Sequence, residues 1–341
     1  MPPVSDFFQR NRAGIFEKFR GRVPVCFGLV RLAPVAHSGA MRASFTPQQQ
    51  NPGLAAALII LATAFIAATT LLAKALGTGV LGPALHPLQI SHGRFVFAFV
   101  ALGSAAIMMR PVLVRPHWGL HLGRTLFGWM GVTLMFASVA YIPMADATAI
   151  SFLNPVFAMV LAIPLLGERV GPVRWGSAAI ALLGALILLR PTPGSFQPAA
   201  LLALAAAVVM GMELIFIKKL AGRERVFQIL LVNNAMGLAI ASLAVWPVWQ
   251  VPNGAQWAAL AGLGLLMACA QVLFINAMAR ADASFVAPFS YAALIFASLY
   301  DFAAFGVVPD ALTAVGAVTI LTGAFVLAWR QGRQGRIMRT N

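Results

Sequence analysis

The run Ala145-Asp-Ala-Thr-Ala-Ile-Ser151-Phe-Leu-Asn154-Pro155-Val-Phe-Ala-Met-Val-Leu-Ala-Ile-Pro-Leu-Leu166 carries a single charge, Asp146, in 22 residues. As a helix it is about 33 Å long, enough to cross a hydrocarbon core of roughly 30 Å. It lacks the strict polar-apolar alternation of a membrane barrel strand. Working outward from it, similar runs divide the chain into ten expected spans: 53–76, 85–109, 121–141, 145–166 and 174–190, then 198–218, 226–248, 256–278, 283–305 and 311–329. Turn formers separate them, among them Gly82-Pro83, Gly171-Pro172, Pro191-Thr-Pro193-Gly194 and Pro252-Asn253-Gly254. Composition agrees, since 60% of residues are hydrophobic and only 10% charged, against about 25% charged in soluble domains. The sequence therefore predicts an all-α polytopic membrane protein with ten transmembrane helices.

Charge orients the bundle. A net charge of +15 would raise the question of nucleic acid in a soluble protein. Here the cations sit between apolar runs, where anionic lipid and the positive-inside bias account for them, and nucleic acid is excluded as a partner. One set of alternate loops holds Arg110, Arg115 and Arg124; Arg169 and Arg174; Lys218, Lys219, Arg223 and Arg225; Arg280; and the tail Arg330, Arg333, Arg336 and Arg339. The other set holds only Arg190. Both termini are thus expected in the cytoplasm.

Residues 1–50 differ from the rest. They hold seven of the 24 Lys and Arg and no apolar stretch of spanning length, because Arg31 interrupts Val23–Val35. They read as a basic leader that is either disordered or the product of an over-called start, with Met41 as the true one; cleavage as a signal peptide is not expected. Residues 331–341 form a basic cytoplasmic tail. Cys26 and Cys269 stand in different regions without a metal or redox spacing, so both read as inert small residues and neither metal nor cofactor is expected.

The chain also repeats. Ala145-Asp146-Ala147 returns as Ala281-Asp282-Ala283, while Gly167, Gly184 and Arg190 return as Gly306, Gly323 and Arg330. A weaker echo links Ala73-Lys74-Ala-Leu-Gly77 to Lys218-Lys219-Leu-Ala-Gly222. Two successive five-helix units must face opposite ways, because five is odd. Residues 53–190 and 198–330 are therefore expected to form a 5+5 inverted repeat, the plan of many alternating-access carriers.

The stretch Tyr141-Ile-Pro-Met-Ala-Asp146 to Asn154-Pro155, continuing to Leu166-Gly167-Glu168 and Gly184, resembles the EamA-type repeat of the drug/metabolite transporter superfamily. The second copy, Ala281-Asp282-Ala-Ser284 to Gly306 and Gly323, is similar but has Phe305-Gly306-Val307 where the first has Gly-Glu. The resemblance implies carrier-type transport of a small metabolite across the bacterial inner membrane without ATP. Its texture is similar to the branch holding riboflavin importers, S-adenosylmethionine carriers and opine-metallophore exporters. Riboflavin uptake is the nominal expectation, with export of amino acids or an opine metallophore, or S-adenosylmethionine transport, as alternatives. Expected partners are the substrate and the lipid bilayer, with a homodimer left open.

Ionisable groups inside spans are costly and tend to be functional. Arg94 lies about 14 Å into its span, too deep to snorkel easily. It is expected to face the interior, paired with a carboxylate, a backbone carbonyl or a substrate anion. Glu213, with no other acid near it in its helix, is a candidate to carry a coupling proton, or to pair with Arg94 or another basic neighbour. Lys74 and Asp301, near span ends, are expected to reach the interface. Ser151 and Asn154 precede Pro155, which removes a backbone donor and can free a carbonyl for a ligand. Gln271, Asn276 and Tyr291 interrupt apolar runs, and Trp129 and Phe136 could stack on a flat ligand. The candidate binding set is Arg94, Trp129, Ser151, Asn154, Glu213, Gln271, Asn276 and Tyr291; Asn233 and Asn234 read as glue between helices.

Rival classes find less support. An intramembrane enzyme would need a catalytic motif, and HExxH, a Walker loop and GxSxG are all missing. Tyr300-Asp301 lacks the Gly-x-Gly-Asp that an aspartyl protease would add. A channel would want filter loops or charged rings, and neither occurs.

Overall fold

A computed structural model describes residues 51–111, 113–167, 171–189, 197–220, 223–278, 280 and 289–337. The 1–50 leader with Cys26 and Met41, and also Glu168, Arg190 and Asp282, lie outside the described residues, as do the side chains of the tail.

The helices begin and end where local chemistry dictates. α1 (Pro52–Gly77) opens on a proline whose missing N–H costs nothing there, and the Asn51 side chain accepts from Leu54 N at 3.0 Å. α2 (Pro87–Met109) repeats the device with His86 as cap. α3 (Trp118–Val139) follows. The expected span 145–166 is not continuous: α4 (Met144–Ser151) and α5 (Asn154–Leu166) are separated by a turn at Phe152 and Leu153. Pro155 has no N–H to bond back to Ser151, and its ring crowds the preceding turn, so the helix restarts there.

Beyond these lie α6 (Pro172–Leu189), α7 (Ala200–Leu220), α8 (Val226–Val245) with a short 3₁₀ extension at Trp246–Val248, and α9 (Gly254–Met278). The last two are α10 (Ala292–Phe305) and α11 (Ala311–Ile337). α11 thus runs past Arg330 into the segment expected to be tail. α5 and α10 both end on a glycine in the left-handed region, Gly167 (φ 66°) and Gly306 (φ 67°), a conformation that a Cβ disfavours.

Among the described residues, seven helices are long and apolar enough to cross a membrane when α4 and α5 are taken as one. The expected fifth, ninth and tenth spans fall on shorter apolar stretches, Trp175–Leu188, Ala292–Phe305 and Ala311–Gly323. Leu183, Leu243, Ile295 and Leu299 are exposed, as a surface meeting lipid requires. Trp118, Trp175, Trp246, Trp249 and Trp257 are exposed at helix ends, where indoles favour the membrane interface. The protein is an integral membrane protein.

The principal packing mixes early and late helices. α1 packs on α9 and α10, α7 on α3 and α5, α2 on α8 and α9, and α6 on α11. Small residues permit the closest of these approaches: a Cβ on Gly184 would come within 2.6 Å of Ile320 N, and one on Gly323 within 2.6 Å of Ala181 N and Ser177 O. Two polar networks tie the ends. At one, Gln89 exchanges hydrogen bonds with the Gln250 backbone, while Asn253 and Gln256 donate to the Leu81 and Pro83 carbonyls.

At the other end Glu224, before α8, is a hub. Its Oε1 accepts from the His117 backbone N–H at 2.7 Å and lies 3.0 Å from His117 Nδ1; its Oε2 lies 2.8 Å from His121 Nε2 and accepts from Gln228 at 2.7 Å. Burial alone would push this carboxyl up, but the backbone N–H and the histidine contacts outweigh it and hold Glu224 at about 2.

Candidate functional site

A cavity of about 490 Å³ lies between the helix groups α3–α5–α7 and α1–α9–α10, within the usual range for small-molecule sites. Two helix interruptions meet in its wall. Ser151, Phe152, Asn154 and Pro155 line it from the α4–α5 break, and Ser290, Tyr291 and Ala293 from the turn that precedes α10. The Phe152 and Tyr291 rings touch edge to face, with centroids 5.1 Å apart. Their positions differ by 139, the same offset as Gly167 to Gly306. Irregular backbone is tolerated within a membrane where it borders a cavity.

The remaining wall is mostly soft and apolar. Met135, Phe136, Met210, Met267 and Phe274 supply it, with Thr63, Thr69 and Thr70 on one face of α1. The hydroxyls of these threonines donate to their own helix, to Ile60 O at 2.7 Å, Ile66 O at 2.7 Å and Ile66 O at 3.2 Å. Ser151 likewise donates to Thr148 O at 2.7 Å. Each oxygen keeps lone pairs for an incoming donor.

Arg94 brings the one cation among the described lining side chains. It is 4% exposed, its guanidinium carbon sits 4.6 Å from the Phe95 ring centroid, and among the described residues the guanidinium makes no hydrogen bond or ion pair. Glu213 and Arg124 are near enough for their charges to act on it. The Glu213 carboxylate lies 3.9 Å from Arg124 Nε, against Gly128, where a Cβ would stand 2.8 Å from it. Arg124 is a correction to the loop tally: it lies inside α3, buried, donating to Ile229 O at 3.1 Å. A cation facing two neighbouring helices finds acceptors there that a loop position could not offer.

Lys74 and Asp301 also depart from expectation. They do not reach the interface but pair at 2.5 Å, 7% and 1% exposed, and Asp301 Oδ2 accepts from Met144 N at 2.8 Å. The positive end of α4 and an ammonium together make burial tolerable for this carboxylate. The partner lies 227 residues away, too far for any local sequence pattern to signal it.

Of the candidate binding set, Arg94, Ser151, Asn154 and Tyr291 line the cavity, and so does Phe136. Glu213 lies one turn beyond the lining residue Met210, and Trp129 one turn before Val132, with its buried indole N–H unpartnered among the described residues. Gln271 and Asn276 do not line it: Gln271 accepts from Asn234 at 3.4 Å, and Asn276 accepts from Arg280 at 2.9 Å. Asn233 accepts from Thr125 at 3.2 Å, which ties α8 to α3. The threonines of α1 were missed, although Thr63 and Thr70, seven residues apart, fall on one helical face and the sequence shows it. Among the described residues no cluster of three His, Cys, Asp or Glu could hold a metal.

Known proteins place this architecture. The model of the EamA-like transporter family matches twice, at residues 53–190 and 197–329. A riboflavin transporter of Vibrio cholerae is 33% identical over 67% of this chain and 78% of its own length. An S-adenosylmethionine uptake transporter of Rickettsia prowazekii is 26% identical over 74% of this chain and 86% of its own. The pseudopaline exporter of Pseudomonas aeruginosa is 27% identical over 68% and 84%. A solved crystal structure aligns with a TM-score of 0.56 at 26% identity, covering 82% of this chain and 98% of that one. A polytopic helical bundle with a cavity between helix breaks, matched twice by one family model, belongs to the EamA-like transporter family.

Proposed function

We propose that the protein is a secondary transporter that moves a small metabolite, nominally riboflavin inward, across the bacterial inner membrane by alternating access. The observation that carries this is the cavity walled by two helix breaks, with Phe152 and Tyr291 in contact. Ten spans in two inverted five-helix repeats fit the packing. Exchanging the repeats turns the α1–α9 contact into α7–α3 and α1–α10 into α7–α5, and leaves α6–α11 and α2–α8 unchanged. Each wall of the cavity then draws on both repeats, so the rocking bodies are the mixed groups α3–α5–α7 and α1–α9–α10. With Arg124 set aside as buried within α3, thirteen cations in loops and at span ends stand on the side read as cytoplasmic against one, which supports placing both termini inside.

Relatives named as riboflavin transporters support the vitamin, and those named for S-adenosylmethionine and pseudopaline support the alternatives. The test is uptake of labelled riboflavin by a riboflavin-auxotrophic bacterium expressing the protein. Growth on low riboflavin with saturable uptake is expected. Uptake no greater than in the empty-vector strain, at verified membrane levels, refutes the vitamin and turns attention to export.

A further inference from the structure

We infer that the cavity holds one unneutralised positive charge, at Arg94, and that it selects substrates presenting an anionic or acceptor-only edge there while rejecting cations. The inference rests on the cavity being the transport site. Among the described residues two guanidiniums, Arg94 and Arg124, feel one carboxylate, Glu213, so with all three ionised the group carries a net charge of +1. The carboxylate lies on the α3 side beside Gly128 and Arg124, leaving Arg94 as the member that lines the cavity. A guanidinium 4% exposed, with no hydrogen-bonding partner among the described residues, is expensive to keep unless a ligand completes it. Its planar donor fork suits a carboxylate or the paired carbonyls of a conjugated ring.

Elsewhere in the wall the hydroxyls of Thr63, Thr69, Thr70 and Ser151 have spent their hydrogens on backbone carbonyls and offer lone pairs. The ligand therefore carries acceptors at one edge, hydroxyl or amine donors at another, and a flat or apolar body against Phe136, Phe274 and the methionines. If the substrate is riboflavin, the acceptor-only N1 and C2-carbonyl edge of its ring meets Arg94 and its hydroxylated chain the threonines.

The test uses detergent-purified protein and ligand-induced shifts in thermal unfolding, with matched probes: a 10-carboxymethylflavin and its amide, and indole-3-acetate, its amide and tryptamine. In at least one series the acid should bind about tenfold more tightly than the amide, the scale of one charge-assisted hydrogen bond, and tryptamine should bind least. Arg94→Gln should abolish the preference and Arg94→Lys keep much of it. Glu213→Gln, which removes the one carboxylate among the described residues whose charge acts on Arg94, should enlarge it, an effect that a structural role for Arg94 does not produce. No acid preference in either series, or a preference untouched by Arg94→Gln, overturns the inference. If flavin acid and amide bind equally and the indoles show no preference either, the vitamin reading stands and this inference falls. An Arg94-dependent preference confined to indoles, with no flavin bound, supports the inference and counts against the vitamin.

Discussion

Asp301→Ala isolates what a buried pair contributes to this bundle. In contact, at an effective dielectric near 20, opposite unit charges attract by about 6 kcal/mol, and burying both takes back several. Removing only the carboxylate forfeits the attraction yet leaves Lys74 buried at 7% exposure and the Met144 N–H without its acceptor. The expected cost is about 3–5 kcal/mol. Lys74→Met with Asp301→Leu removes both charges, keeps apolar volume, and leaves only the Met144 N–H unanswered, so the double variant should be more stable than either Asp301→Ala or Lys74→Met alone. The assay is the thermal unfolding midpoint of detergent-purified protein, together with membrane abundance. A wild-type midpoint for Asp301→Ala, or a double variant that unfolds below both singles, refutes the reasoning.

Three further outcomes are expected. Glu224, held at about 2 against an ordinary value of 4.5, stabilises the fold above the unfolded-state value, and this is lost as pH falls. The wild-type advantage in melting midpoint over Glu224→Gln should therefore shrink between about pH 4.5 and pH 2, and a pH-independent gap would contradict it. A reporter fused after Arg339 should read as cytoplasmic and one inserted between Pro247 and Gln256 as periplasmic; the opposite result reverses the orientation. Cysteines in place of Phe152 and Tyr291, in a background without Cys26 and Cys269, should block uptake when cross-linked and restore it on reduction, because alternating access must part these walls. Unchanged uptake after complete cross-linking would show that they move together.

Much of the architecture was legible because membrane helices announce themselves: an apolar run can satisfy its backbone only as a helix. Pro155 carries the signal for the interruption at Ser151 to Pro155, although 145–166 is expected from the sequence as one continuous span. That the break opens onto a cavity shared with Tyr291 was not legible, since helix rotation and crossing decide which face of a span looks inward. The same limit explains Gln271 and Asn276. A polar residue in an apolar run shows that a partner is needed, and within the protein Gln271 has Asn234 and Asn276 has Arg280. Arg124 was misjudged because a cation near a span end reads as loop until a carboxylate on a neighbouring helix is seen to draw it in. Lys74 and Asp301 hid their roles for the same reason.

The buried charges sort by what answers them. Lys74, Asp301 and Glu224 each meet an opposite charge or several donors, and such groups hold helices in register. Among the described residues Arg94 makes no hydrogen bond or ion pair and feels Glu213 only at a distance, and Glu213 itself reaches Arg124 at 3.9 Å. A membrane interior penalises an unanswered charge more heavily than water does, so a bundle that retains one gains something other than stability from it. Satisfying Arg94 with a second carboxylate would have made a more stable protein with a neutral, indifferent cavity. Leaving it open makes the cavity's own electrostatic deficit the first step of recognition, and sharing Glu213 with Arg124 keeps that deficit at one charge, which a single anionic or acceptor edge can meet.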